Sequence, residues 1–456
     1  MPADRSRLPE VGPDPPFRFP AIVRHRLANG LDVRTIEHHT VPVVSCVLQI
    51  QGGAGGDPPG EEGLAAITAD MVDEGTGHLS AIDVSEGFAR LGAEYDVEVG
   101  PDATLFSLTV LSRFAERGLS LLADILARPS LRGHDFERVR KLRLDRLRQL
   151  KDLPPAVAER AFLRLVYGDH PYGHLPIGTE AALRACRVER VAEFHAAAFS
   201  PARATLVLAG PLAHETLRAL VAAAFSRWAD DGPDGAAATA AAIDPPTLPR
   251  RLAIVPRAGA AQSELRIGHL SARRNTPDYA ALLLMNAVLG GQFVSRINLR
   301  LREEKGYTYG ARTGFDWRRG PAPFALQASV HTAATADAIR DTLAEFDAIR
   351  GARPPSDEEM ALARASLTRG YPRNFETAEQ VARSVAQLAL YDLPDSYFQE
   401  FVPRVNAVER SDVVRAAERY VDAARATTLI VGDYQAIGES LPPLGYGEPQ
   451  ILPPDE

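Results

Sequence analysis

Residues 289–310 read LGGQFVSRINLRLREEKGYTYG. The apolar run 280–289 leading into this stretch predicts a buried helix that ends at Gly290-Gly291. Over 295–304, the apolar residues Ile297, Leu299 and Leu301 stand between basic and acidic ones. The segment stops at Gly306, and Tyr307 and Tyr309 follow on an extended segment. Arg302 and Tyr309 are seven residues apart across this glycine break, so a guanidinium and a phenol could converge on one point. Such a pair donates hydrogen bonds to a carbonyl or a developing oxyanion without a metal. The other reading of the same letters is a surface arginine in a helix and a half-buried strand tyrosine.

Outward from this stretch, the chain of 456 residues is too long for one ordinary core and matches two or three domains. With 45% hydrophobic and 24% charged residues, its composition is that of a soluble globular protein. A formal net charge of -8 and a pI near 5.8 leave no basic footprint, which argues against nucleic acid as a partner. No apolar run is long enough to span a bilayer. The first nineteen residues are Pro-rich, lack a signal-peptide core and read as a loose leader. Their composition points to the cytoplasm, or to the periplasm if the chain is a mature form. Cys46 and Cys186 are too few for a disulfide framework and read as structural thiols.

The letters HRLANGLDVRTI predict a hairpin about Asn29-Gly30, and PVVSCVLQIQ predicts a further strand. The loop GGAGGDPPGEEG lacks a phosphate-binding ending and reads as a plain connection into a helix over 64–73. The pair AEYDVEV and ATLFSLTVL then reads as two strands, followed by helices over 113–128, 134–150, 156–167 and 188–199. The arginine-dense face of 134–150 is expected to be solvated and salt-bridged. Residues 230–249, poor in large apolar residues, read as a linker. Beyond them the pattern restarts, and so do the letters. Val188-Glu189-Arg190, then Ala-Arg-Ala-Thr and an apolar strand, recur from Val408-Glu409-Arg410. A repeat this long means two homologous domains, 20–229 and 250–440, with a tail over 441–456. Hairpins grouped apart from helices indicate an α+β class with mostly antiparallel sheets backed by helices.

The stretch 289–310 resembles the C-terminal signature of the insulinase and mitochondrial-processing-peptidase family, the pitrilysin-type zinc peptidases. There a Gly-rich turn and a helix ending Arg-Glu-x-x-Gly precede a strand bearing tyrosine. The resemblance spans residues 20–433 and implies two halves facing each other like a clam shell. It also implies that Arg302 and Tyr309 touch substrate beside a zinc held by the other half. Active members carry Gly-Leu-Ala-His-x-x-Glu-His-Met, in which two histidines one helical turn apart bind Zn²⁺ and the glutamate polarises its water. The matching segment 63–71 here reads GLAAITADM. The histidine positions hold Ala66 and Asp70, and the glutamate position holds Ala69. A distal acidic ligand falls at Asp145 or is lost to Arg146. Neither His38-His39 nor His170 and His174 offers ligand spacing, and no nucleophile stands in motif context.

The chain is therefore expected to hold no metal or cofactor and to be inactive alone. The expected function is that of a non-zinc-binding subunit of a heteromeric zinc peptidase, with zinc in a homologous partner and Arg302 and Tyr309 supplied to the peptide substrate. The alternative is a structural or peptide-binding subunit without a catalytic role. Either could bind an extended peptide along a sheet edge.

Overall fold

A computed structural model describes residues 17–229 and 240–453. The Asn29-Gly30 turn joins strands Ile22–Arg26 and Asp32–Glu37, which pair antiparallel. They open a six-stranded sheet in the order Ile22–Arg26, Asp32–Glu37, Ala204–Gly210, Val43–Gln51, Ala103–Leu111, Glu94–Val99. A second six-stranded sheet runs Thr308–Phe315, Pro323–His331, Gln262–Leu270, Thr427–Gly432, Leu252–Pro256, Gln450–Ile451. Without their outermost Ile22–Arg26 and Gln450–Ile451 strands, the two sheets have one topology. In each, the first strand of the repeat pairs in parallel with the last, and the remaining pairs are antiparallel. The duplication read from the letters is thus a duplication of strand order, and the α+β class holds.

Each sheet is buried on both faces, which is why its central strands read as nearly unbroken apolar runs. In the first sheet Cys46, Leu48 and Leu206 face helices Ala81–Arg90, Ala115–Ala127 and His214–Phe225. The alternate residues Ile36, Val47 and Val207 face Val381, Val385 and Leu388 of helix Ala378–Leu390. That helix comes from the second half of the chain. The second sheet mirrors the arrangement. Ile254, Leu265 and Leu326 face helices that follow them in sequence, among them Tyr279–Leu289 and Thr335–Asp347. Ala253, Val255 and Leu429 face Val157, Phe162 and Val166 of helix Pro154–Tyr167, from the first half. The halves exchange one helix each.

A polar junction adds to the exchange. The Tyr172 hydroxyl and the Arg319 backbone N–H (2.9 Å) both donate to buried Asp102. Arg318, also buried, donates to the Tyr172 carbonyl (3.0 Å) and to Asp316 (2.7 Å). Burial raises the Asp102 carboxyl above its usual range, against the pull of these donors.

Of the expected leader 1–19, residues 1–16 lie outside the described residues. Phe17 and Phe19 are docked against Phe375 at ring separations of 5.2 and 5.0 Å. Of the expected linker, 230–239 lie outside the described residues, and Ala240 is buried beside Tyr172. The expected tail returns as an edge strand, with Gln450 and Ile451 paired to Ala253 and Ile254.

Candidate functional site

Helix Leu64–Met71, which carries the degenerate motif, is held at its start by a buried carboxylate. Asp57 accepts from the backbone N–H groups of Gly63 (2.7 Å) and Ala65 (2.6 Å), and His174 Nε2 lies 3.1 Å from it. Gly63 and Gly178, both at positive φ, meet back to back, and a Cβ on Gly63 would lie 2.8 Å from the Gly178 Cα. The Gly-rich loop is therefore a connector ending in a helix cap. One face of the helix (Ala65, Ala69, Val72) lies toward the sheet, and another (Leu64, Ile67, Met71) packs on helices Gly133–Lys151 and Val188–Ala198. The third face, at helical spacing, carries Ala66, Asp70 and then Asp73.

Ala66 and Ala69 offer methyl groups at 3% and 0% exposure. Asp70 is taken by a cation: Arg143 Nη1 donates to it at 2.5 Å, while Arg143 Nη2 donates to the Pro176 carbonyl at 2.9 Å. Asp145 pairs instead with Lys141 (2.9 Å) and Arg148 (2.6 Å), and Arg146 joins Asp70 and Arg143 in lining a cavity of about 480 Å³. The helix thus presents guanidinium groups toward Asp70, while Asp145 pairs with cations of its own helix. The expected salt-bridged character of the helix holds, with Arg143 as the member that reaches the motif. No group of three or more His, Cys, Asp or Glu among the described residues is placed to hold a metal ion. His39 meets Glu37 (3.2 Å) and His170 meets the Ile243 carbonyl (3.0 Å).

Asp73, just past this helix, has no hydrogen bond or ion pair to another side chain among the described residues. Burial, and then the neighbouring Glu74 carboxylate, raise its pKa to about 6. A carboxyl whose native pKa lies above its unfolded value binds its proton more tightly when folded. Its contribution to stability therefore falls as pH rises from about 4 to about 6 and stays low above that. Asp73→Asn is expected to stabilise the chain by about 1–3 kcal/mol at pH 7.5 and by only about a third of that at pH 4.5. Urea unfolding at the two pH values checks this; an equal effect at both would count against it.

The second wall is the stretch 289–310. Arg296–Asn298 begins the helix, which continues over Leu299–Glu304 with a wider, π-type turn. Ile297 and Leu301 are fully buried and anchor it. Gly306 at φ 64° ends it, and the Tyr307 N–H reaches back to the Leu301 carbonyl (2.8 Å). Arg302 stays partly exposed, its guanidinium 4.4 Å from the centre of the Phe293 ring and its Nε 3.5 Å from Glu303. Strand Thr308–Phe315 pairs Thr308 with Val330 and then Ala311 with Ala328, so Tyr309 and Gly310 form a bulge on an edge strand. Bulges re-aim side chains, and Tyr309 is 87% exposed with no side-chain partner among the described residues.

Two residues that sequence reasoning missed hold this wall. Buried Asn298 accepts from the Ala311 N–H (3.0 Å) and donates to the Phe293 carbonyl (2.7 Å), tying helix, loop and bulge together. The Thr308 hydroxyl donates to the Ser329 carbonyl (2.7 Å) and accepts from the Gly310 N–H (3.1 Å). The available signal was a polar Asn298 between apolar Ile297 and Leu301. No hydrogen bond or ion pair joins Arg302 or Tyr309 to Ala66, Ala69 or Asp70 among the described residues.

Two family models match the chain: Insulinase (Peptidase family M16) over residues 32–180 and Peptidase M16 inactive domain over residues 185–367. The chain belongs to the insulinase family, peptidase family M16. It is a peptidase-like member in which no zinc-binding histidine stands at the matched motif positions. An uncharacterized zinc protease of Mycobacterium tuberculosis is 23% identical over 94% of this chain and 97% of its own length. One from Mycobacterium leprae is 24% identical over 77% and 79%. Among solved structures, a peptidase M16 inactive domain from Pseudomonas fluorescens superposes with a TM-score of 0.84 at 23% identity, covering 91% of this chain and 98% of that one. A protease from Helicobacter pylori also reaches 0.84, at 18% identity over 91% and 100%. No helix among the described residues is long and apolar enough to cross a membrane.

Proposed function

We propose that this chain is the non-zinc-binding subunit of a heteromeric M16 peptidase acting on peptides. It would supply Arg302, Tyr309 and enclosing surface to a zinc-bearing homologue. The observation that carries this reading is the unequal state of the two walls. At the motif helix the side chains are methyl groups and an aspartate neutralised by Arg143. At the other wall Arg302, stacked on Phe293 with its Nε 3.5 Å from Glu303, stays partly exposed, and the phenol of Tyr309 is almost fully exposed on a bulge clamped by Asn298. Holding a tyrosine out in solvent does nothing for stability, which supports a role in contact with something else.

The roles follow from chemistry. Arg302 and Tyr309 donate hydrogen bonds to the scissile carbonyl oxygen as it gains charge, while the partner's zinc supplies the activated water. The exposed edge strand Thr308–Phe315 offers backbone groups to an extended peptide. The two domains, 20–229 and 250–440, would act as one rigid subunit because of their exchanged helices. The chain would work in an aqueous compartment, cytoplasmic or periplasmic.

Purified alone, the chain is expected to carry no stoichiometric zinc and to cleave no peptide. Co-expressed with a homologue bearing an intact His-x-x-Glu-His motif, it is expected to co-purify as a complex with one zinc per pair of subunits. Metal analysis and a peptide-cleavage assay on both preparations decide the matter. One tightly held zinc per isolated chain would overturn the reading. A zinc-loaded complex whose cleavage is indifferent to Arg302 and Tyr309 would leave only the structural role.

A further inference from the structure

The region of the lost metal site retains an unexplained feature. Asp73, Glu74 and Tyr95 form a wall shared by two cavities, the 480 Å³ one above Asp70 and a larger one of about 810 Å³. The other charges around that wall have partners. Arg138 binds Glu74 and lies 3.7 Å from Asp135, Arg143 binds Asp70, and Arg383 reaches Asp96 from the opposite half at 3.8 Å. Asp73 has none. Independently, the Tyr95 hydroxyl is buried with no hydrogen-bond partner among the described residues. The Tyr95 ring is fixed by parallel stacking on Phe88, with centroids 4.9 Å apart and planes 4° from parallel. A buried hydroxyl and a half-buried carboxylate that line the same two cavities with no side-chain partner among the described residues cost free energy unless a ligand completes them.

We propose that this wall is a binding site for an alkylammonium group, as carried by a lysyl side chain or a peptide amino terminus, with Asp73 and Tyr95 as its acceptors. An ammonium has three N–H donors and no acceptor, matching a carboxylate and a phenol oxygen on one cavity lining. Apolar walls extend into the larger cavity from Val84 and Phe88, and Ile82 stands on its lining at 71% exposure. These surfaces suit a methylene stem whose charged end reaches inward. A divalent metal suits the wall poorly, because the Arg143 guanidinium already neutralises Asp70 and no three His, Cys, Asp or Glu among the described residues are placed to hold one. A carboxylate with a pKa near 6 would be ionised, and able to hold an ammonium, at neutral pH and lose that ability below it. The charged groups sharing the two cavities with it are Asp70, Glu74, Asp96, Arg138, Arg143 and Arg146, with Glu86, Arg132, His134 and Asp135 around the larger one. The site is independent of the paired-peptidase reading, since it uses only this chain.

The test is titration calorimetry on the full chain, alone, at pH 7.5 and 5.0. The probes are a doubly blocked pentapeptide with a central lysine, the same peptide with norleucine, an unblocked norleucine peptide, cadaverine and zinc chloride. The lysine peptide is expected to bind at least about tenfold more tightly than the blocked norleucine peptide, and to weaken at pH 5.0. Asp73→Asn is expected to weaken it about tenfold and Tyr95→Phe several-fold, with exposed Glu116→Gln as an unaffected control. Preferential binding of the unblocked peptide or of cadaverine, lost in Asp73→Asn, would support the ammonium site and assign its source to an amino terminus or a free amine. Asp73→Asn removes a buried charge, so its unfolding midpoint should be no lower than wild type, which separates lost binding from lost folding. Equal affinity for the two blocked peptides together with no Asp73-dependent binding of the unblocked peptide or cadaverine, or Asp73-dependent saturation by zinc, would overturn the proposal.

Discussion

Produced as separate polypeptides, residues 1–229 and 240–456 are each expected to be soluble only poorly and to lack a cooperative unfolding transition. Mixed during refolding, they are expected to recover one. The first half alone leaves Ile36, Val47 and Val207 bare, the residues that helix Ala378–Leu390 covers. From that helix Val381, Val385 and Leu388 are each buried to within 1% exposure. Full burial of such side chains contributes about 1.5–3 kcal/mol each. Their loss alone therefore removes an amount comparable with the whole stability of a typical domain, about 5–15 kcal/mol. The second half is no better placed, because it loses Val157, Phe162 and Val166 from the face over Val255 and Leu429. Circular dichroism with urea titration of each half and of the mixture checks the expectation. A cooperative transition in either isolated half would show that its own helices suffice.

The second large effect belongs to the proposed complex with a zinc-bearing homologue. There Arg302→Ala and Tyr309→Phe are each expected to lower kcat while complex formation and zinc content stay unchanged. The donors would matter most when the carbonyl oxygen carries charge, so the loss falls on kcat more than on KM. Removing one preorganised donor in a dry site costs roughly 10²–10³ in rate, and less where the partner keeps donors of its own. The geometry supports the choice of substitution. Tyr309 is 87% exposed, so removing its hydroxyl disturbs no packing, whereas Tyr307 packs against the core and is the control. Arg302 stacks on Phe293 and bears on no buried carboxylate, so its truncation leaves no orphaned charge. Wild-type turnover by the complex carrying both substitutions would remove the catalytic role.

Much of the fold was legible because its signals are local. Asn29-Gly30 marks a hairpin, β-branched runs mark strands, and the repeated Val-Glu-Arg and Ala-Arg-Ala-Thr letters mark the duplication. The helix exchange was not legible. An amphipathic pattern states that Val157, Phe162 and Val166 face something apolar, and it is silent on which of two similar sheets that is. The two-residue strand Gln450–Ile451 is too short to carry any period. Within the candidate site, the emptied motif and the Arg302–Tyr309 offset stood in the letters. The Arg143–Asp70 pair spans 73 positions and needed the packing of two helices to appear. Asn298 acts by capturing a backbone N–H at Ala311, and backbone groups leave no trace in side-chain chemistry. Asp73 looked like one acidic residue among 59, and only its missing partner distinguishes it.

The exchanged helices also bear on how the chain emerges from the ribosome. The strands of the first sheet are complete once Gly210 has been made, but their second cover is helix Ala378–Leu390. At about 5–20 residues per second, that helix follows roughly ten to thirty seconds later. Throughout this interval a nascent sheet with an open apolar face stays tethered to the translating ribosome, a substrate for holding chaperones and for contacts between neighbouring nascent chains. A slower codon tract upstream of Ala378 would prolong the exposure without altering the finished protein.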